Sequence, residues 1–439
     1  MEAPGEMGYK KSIIILILTI FLFSIASVCA SDANDTAIAS EDINQIELSS
    51  NNGIVEDNLQ TTEENVTLTQ TNDDETVSAE TNSQTLSEGE STYYYLITEI
   101  GDGGDKNLTK SYYCYTGGDT IEIKNSCIIN GNGAIIDMFG SSIQTFNVTA
   151  SGVTFKNLTI KNANYNGDGG AIYFSSSGTI ENCNFINNTA SKRGGAVCCN
   201  GECNVTDSNF INNNVTSGHG GAVWSMAANV RNCNFTDNSA FYYGGALWIY
   251  SGALTECNFI NNSASNRAGA VRIVEEGNIK NCNFTNNSAK GAGAVMFSGV
   301  GELTNCNFNN NNATSGNGGA AYISLNGNVT DCNFTNNQAT SDGGAIYFAE
   351  DSNGIITNCN FVNNAADGWV GAVCFDGNGD VTNCNFTNNS AYYGGGAVLI
   401  YNGTLTNSNF VNNKGTIDHS YAGAACMYSG TVENCNFIN

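Results

Sequence analysis

Two histidines, one in Ser217-Gly218-His219-Gly220 and one at His419, are all the imidazole that this 439-residue chain offers. A general base or a zinc site built on histidine therefore has little material. Glycosidic hydrolysis would instead need two facing carboxylates. Asp168 and Asp342 occupy the same place in a repeat but stand seven repeats apart. Glu275-Glu276 and Glu350-Asp351 are local pairs that read as solvated loop residues, and Asp73-Asp74 lies in an acidic spacer. Calcium is the one ion with a foothold, in turns such as NGDGG (166–170) and SDGG (341–344), yet no spacing matches a calcium-binding repeat. No catalytic residue and no cofactor is expected.

Aromatic residues offer better chemistry. Tyr173, Trp224, Trp248, Tyr322 and Tyr347 recur at one place in the repeat. If they point outward from a rigid face, their rings can stack on sugars or on peptide side chains. The competing expectation is lateral packing against a covering loop. Asn-x-Ser/Thr triplets, among them Asn234-Phe235-Thr236 and Asn283-Phe284-Thr285, add glycosylation acceptors if the chain is exported.

What positions these residues is a repeat. A Gly-Ala pair recurs at Ala171, Ala196, Ala222, Ala246, Ala270, Ala294, Ala320, Ala345, Ala372, Ala397 and Ala424, at spacings of 24 to 27. A second anchor keeps pace, at Phe185, Phe210, Phe235, Phe259, Phe284 and onward to Phe437. After each Ala an apolar residue such as Ile172 or Val223 is followed two places on by another, such as Phe174 or Ile273, except at Ser225; the stripe aromatics sit between them. That period-2 alternation is the mark of a half-buried strand.

A second strand centres on Ile180, Val205, Val230 and their equivalents, and a third runs through Cys-Asn-Phe. Three short strands in about 25 residues leave no room for a helix, and one repeat cannot bury its own face. The solution is an all-β parallel β-helix in which each repeat is one coil. Strands ~4.8 Å apart in about 14 coils would make a monomeric rod of roughly 65 Å. Its core would hold ladders of like residues: a Phe stack (Phe185, Phe235, Phe259, Phe284), and a Cys stack (Cys183, Cys233, Cys257, Cys282) within nine cysteines of that slot. Ser208 and Ser408 take the Cys slot elsewhere, which suits a small buried filler. Directly stacked cysteines point in parallel and bridge poorly, so a reduced ladder is expected over zipped disulfides. A local disulfide among Cys198, Cys199 and Cys203 stays open. Asparagine, which tolerates left-handed turns, is expected to bond from coil to coil.

The net charge of −26 is uneven: residues 31–92 carry 15 acidic and no basic residues, and 93–439 carry 24 acidic and 13 basic. Nothing offers phosphates a basic groove, so nucleic acid is excluded as a partner. Lys10 and Lys11, the apolar run Ile13–Ile25 and Val28-Cys29-Ala30 read as a signal peptide over 1–30, cut before Ser31. An uncleaved anchor is the competing reading and would be the only membrane contact. Residues 31–92 read as a disordered acidic linker. Residues 93–168 read as leading coils and an N-terminal cap, with Ile160 in the Phe slot, and 169–439 as eleven repeat coils. The sequence stops inside a repeat, at Phe437-Ile438-Asn439, so a fragment or an absent following domain is expected.

The pairing of Gly-Gly-Ala-Ile (169–172) with Phe-x-Asn-Asn (185–188) resembles the GGAI and FxxN motifs of the chlamydial polymorphic membrane proteins. It is also similar to the adhesin-like surface proteins of methanogenic archaea. The resemblance covers 169–439 strongly and 120–168 more loosely. It implies a right-handed parallel β-helix of the pectate-lyase type, secreted or displayed at the cell surface and used in adhesion to a host, a neighbouring cell or a glycan. The same fold hosts polysaccharide lyases and hydrolases, which is the alternative reading; a passive envelope spacer is a third. Gly218-His219-Gly220 resembles a triplet of polygalacturonases, but the basic pair that accompanies it has no counterpart beyond Arg272-Ile273-Val274.

Overall fold

The computed structural model describes residues 90–101, 104–416 and 422–438. The expected signal peptide, most of the acidic linker and His419 lie outside these residues. Residues 90–92, assigned to the linker by sequence, instead form a strand paired in parallel with Tyr112–Cys114.

Every coil of the repeat region turns through the strands that the alternation predicts. Ile172–Phe174 buries its first and third residues and leaves Tyr173 half-buried. Strands of successive coils pair in parallel and in register, in a 34-stranded sheet and a separate 11-stranded sheet of very short strands such as Thr189–Ala190 and Ser239–Ala240. The fold is a parallel β-solenoid of about 14 turns. Like sits on like: Phe185 pairs with Phe210 and, one coil earlier, with Ile160. The Phe rings stack 4.7 to 5.0 Å apart from Phe185 to Phe437. Here the interstrand spacing imposes ring stacking, and each ring adds about 2–3 kcal/mol of apolar burial.

The Gly-Gly-Ala corner is explained by space. Gly169 has φ of +69°, and a Cβ on Gly170 would lie 2.2 Å from the Gly195 carbonyl of the next coil. Two further turns per coil use a left-handed residue, asparagine in most coils, as at Asn182 (φ +48°) and Asn187 (φ +55°), and an acidic residue in others, as at Asp207 and Glu256. The cysteine slot is more than a filler. The Cys257 N–H donates to Cys282 Sγ at 3.4 Å, and where serine takes the slot the Cys183 N–H donates to Ser208 Oγ at 3.0 Å. Hydroxyl and thiol accept the same bond, which is why they interchange. All cysteines among the described residues, including Cys198, Cys199 and Cys203, are free thiols.

One helix, α1 (Tyr93–Ile100), stands in the stretch that the sequence reads as leading coils. Thr92 caps it by accepting from the Tyr95 N–H at 3.4 Å. Tyr93, Leu96 and Ile100, spaced for one helical face, are fully buried on the end of the core, and the Tyr93 hydroxyl donates to Thr145 O at 3.0 Å. No helix of the described residues is long and apolar enough to cross a membrane.

Candidate interaction face

The residue that precedes each Gly-Gly-Ala corner builds one half of this face. Asp168, Arg193, His219, Tyr243 and Arg267 follow one another in parallel bridges from coil to coil. The stripe strand beside it supplies the other half: Cys198, Trp224 and Trp248 in register, then Arg272, Met296, Tyr322 and Tyr347. The corner residues fold over the stripe. Arg193 lies 4.3 Å from the Trp224 ring centre and is held there by a bidentate pair with Asp168, at 2.9 and 2.7 Å. Trp224 stacks on Trp248 at 5.0 Å, and His219 stacks on Tyr243 at 5.1 Å. Arg272 sits 4.1 Å over the Tyr243 ring, and Arg267 reaches Tyr322 at 5.5 Å.

This arrangement corrects the picture of an open aromatic stripe. Trp224 keeps only 6% of its surface and Tyr347 only 8%, whereas Tyr173, Trp248 and Tyr322 stay half-buried. The cause is the fold-back of the corner segment. Arg193 covers Trp224, while Tyr347 joins Val370, Cys374 and Leu399 in a small apolar cluster. Exposed rings come instead from residues that the stripe alignment passes over: Phe241 and Tyr242, both more than two-fifths exposed, Trp369 two corners beyond Tyr322, and Tyr393 one corner further. The signal was present in the sequence: these residues lie in or just before the variable corner slot.

Phe241 also closes one side of a groove of about 640 Å³ over the smaller sheet. Its floor is Ser239, Ala240, Ser263, Ala264 and Ser288, and Lys290, which holds the place of Phe241 two coils on, also lines it. Through the Phe241–Tyr242 and Tyr242–His219 ring contacts, at 4.7 and 5.5 Å, the groove runs into the corner ladder.

The candidate catalytic groups are placed as follows. Burial, with Arg272 and Arg193 nearby, drives the His219 imidazole down to about 4, so it is neutral at ordinary pH. Asp168 is taken by Arg193, and Glu275 accepts from the Tyr250 hydroxyl at 2.9 Å. Asp342 accepts from the Trp369 N–H at 2.6 Å, and burial pushes its carboxyl up. Asp376 accepts from the Tyr347 hydroxyl. No group of three or more His, Cys, Asp or Glu side chains able to hold a metal gathers among the described residues. The glycosylation triplets at Asn234 and Asn283 lie inside strands, where Asn234 donates to Asn209 Oδ1 at 2.8 Å and Asn283 to Asn258 Oδ1 at 2.8 Å. Their amides serve the coil-to-coil ladder, which makes them poor acceptors once the chain is folded.

Residues 249–414 match the model of a right handed beta helix region, and residues 182–200 match the Chlamydia polymorphic membrane protein repeat. No curated protein matches the chain. Among solved structures, the periplasmic alginate epimerase AlgG is similar over 80% of this chain and 84% of its own, at 10% identity and a TM-score of 0.34. The chain is a right-handed parallel β-helix whose repeat is similar to that of the Chlamydia polymorphic membrane proteins.

Proposed function

We propose that this protein is an exported, cell-surface adhesin-like β-helix. It binds a glycan or protein ligand of a host or neighbouring cell through its side face, without chemistry and without a cofactor. The observation that carries the reading is the lateral face itself: half-buried Trp248 and Tyr322 on paired strands, exposed Phe241 and Tyr242 in the corner beside them, and guanidinium groups, bordered by a groove. Rigid aromatic surface of this kind binds with little ordering cost. The repeat match to a polymorphic membrane protein family supports display at the envelope. The unit acts as a monomer, has no nucleic-acid partner, and meets a membrane only if residues 1–30 stay uncleaved.

A second reading, a polysaccharide lyase or hydrolase, draws on one spot. Asp342, its carboxyl pushed up by burial, feels Asp376 beyond the next corner, and Asp376 is bonded to Tyr347. One experiment separates the readings. The full chain is incubated with a glycan array and with intact cells, and both retention and products are read. Retention without products, weakened about tenfold by Trp248→Ala (the loss of ~1.4 kcal/mol), supports the adhesin. Shortened or unsaturated oligosaccharides that vanish in Asp342→Asn support the enzyme. Neither retention nor products leaves a passive spacer.

A further inference from the structure

The whole chain contains four arginines against a net charge of −26, and three of them, Arg193, Arg267 and Arg272, stand on this one face. Arg193 is committed to Asp168. Among the described residues the ion pairs are Arg193–Asp168 and Lys161–Asp137, so neither Arg267 nor Arg272 has a carboxylate partner. Arg272 stands where its neighbours in the stripe carry Trp248 and Met296. It uses one amino group on Ser298 Oγ at 3.3 Å, while its Nε is enclosed and unbonded. The Nδ1 of His219, which stacks on Tyr243, is enclosed and unbonded as well. These are the two side-chain nitrogens in that condition among the described residues.

A positive charge drawn out of water with no counter-charge is costly, and an incoming anion removes that cost. The same coil departs from the corner rule: Ala268 takes the place of the first glycine at φ of +61°, a strained conformation for a residue with a Cβ. Arg267 ends the strand Ser263–Arg267, whose start, Ser263-Ala264-Ser265, lines the groove. A chain lying over the serine floor would therefore meet Arg267 first and Arg272 beside it.

Resting on the adhesin reading, we infer that Arg267 and Arg272, with the Tyr243 ring that both His219 and Arg272 contact, form the recognition point for a carboxylate-bearing sugar in a glycan that lies along the groove. A guanidinium matches a planar carboxylate in two parallel hydrogen bonds. The hydroxyl-lined floor and the flanking rings suit a sugar backbone better than an isolated anion.

The test titrates the full chain with a glucuronate-containing oligosaccharide and with its carboxyl-reduced counterpart, which keeps the shape and loses the charge. The acidic form is expected to bind about tenfold more tightly or better. Arg267→Gln, a change at an exposed side chain, and Arg272→Gln should each bring the acidic form down to the level of the reduced one. Arg231→Gln, exposed in another part of the coil, should leave the preference intact. Equal binding of the two oligosaccharides, or a preference that survives both variants, overturns the inference and leaves the adhesin reading standing. Binding of an acidic peptide with neither sugar bound also overturns it. Loss of all retention, on cells and glycans alike, removes both.

Discussion

The side-chain amide of Asn238 donates to Asn262 Oδ1 of the next coil at 3.0 Å, and the same oxygen accepts the Asn238 backbone N–H, also at 3.0 Å. The second amide hydrogen goes to Phe210 O at 2.9 Å. Every donor and both acceptor sites of these buried asparagines are used, and the pattern repeats from Asn188 to Asn413.

Asn262→Ala should therefore cost about 2–4 kcal/mol, because it strands donors on Asn238 and the carbonyl of Phe235 inside the core. Asn258→Ala cuts the parallel ladder on the outside of the strand, where water replaces the lost bonds, and should cost under about 1 kcal/mol. Urea midpoints of the two variants decide this: equal shifts would show that the inner ladder is not the stronger one.

A second expectation concerns acid. Above its ordinary value of 6.5, His219 is neutral in both the folded and unfolded chain. As pH falls from there to about 4, the unfolded chain takes up a proton that the folded site refuses, since burial, Arg272 and Arg193 oppose it. Folded stability is thus full above 6.5 and declines toward pH 4. His219→Gln should remove that part of the slope, so that melting at pH 7 and pH 4.5 differs less in the variant than in the parent. An unchanged difference would mean that His219 is not held neutral.

Thiol reactivity gives a third. Burial pushes the Cys183 thiol up to about 12, and the cysteine ladder through Cys384 is sealed in the core. Among the described cysteines, only Cys426 and Cys435 are partly open. An alkylating agent at pH 8 should label these two in the native protein and reach the ladder only in urea. Mass analysis showing Cys233 linked to Cys257 would overturn the free-thiol ladder.

The coil was legible in the sequence because two anchors, Ala and Phe, repeat together with a strand alternation between them. Phe185 on Phe210 and Ile160 beneath Phe185 follow from that alignment alone. The covering of Trp224 was not legible, since strand parity says only that a side chain leaves the core, not what folds back over it. Arg193 does so through Asp168, a contact between two corner residues 25 positions apart. The helix α1 escaped for a related reason: Tyr93, Leu96 and Ile100 answer to the end of the solenoid and not to any repeat.

Because the strands pair residue for residue, each coil presents the same faces upward and downward. Removal of residues 209–233 would set Asn234 and Phe235 directly above Asn184 and Phe185, in the register that Asn209 and Phe210 now hold. Such a deletion would shorten the molecule by one rise of ~4.8 Å and leave every ladder continuous. Length is therefore a trait that inheritance can adjust in whole steps by duplicating or losing a coil, while the contents of the corner slot change independently, one address at a time.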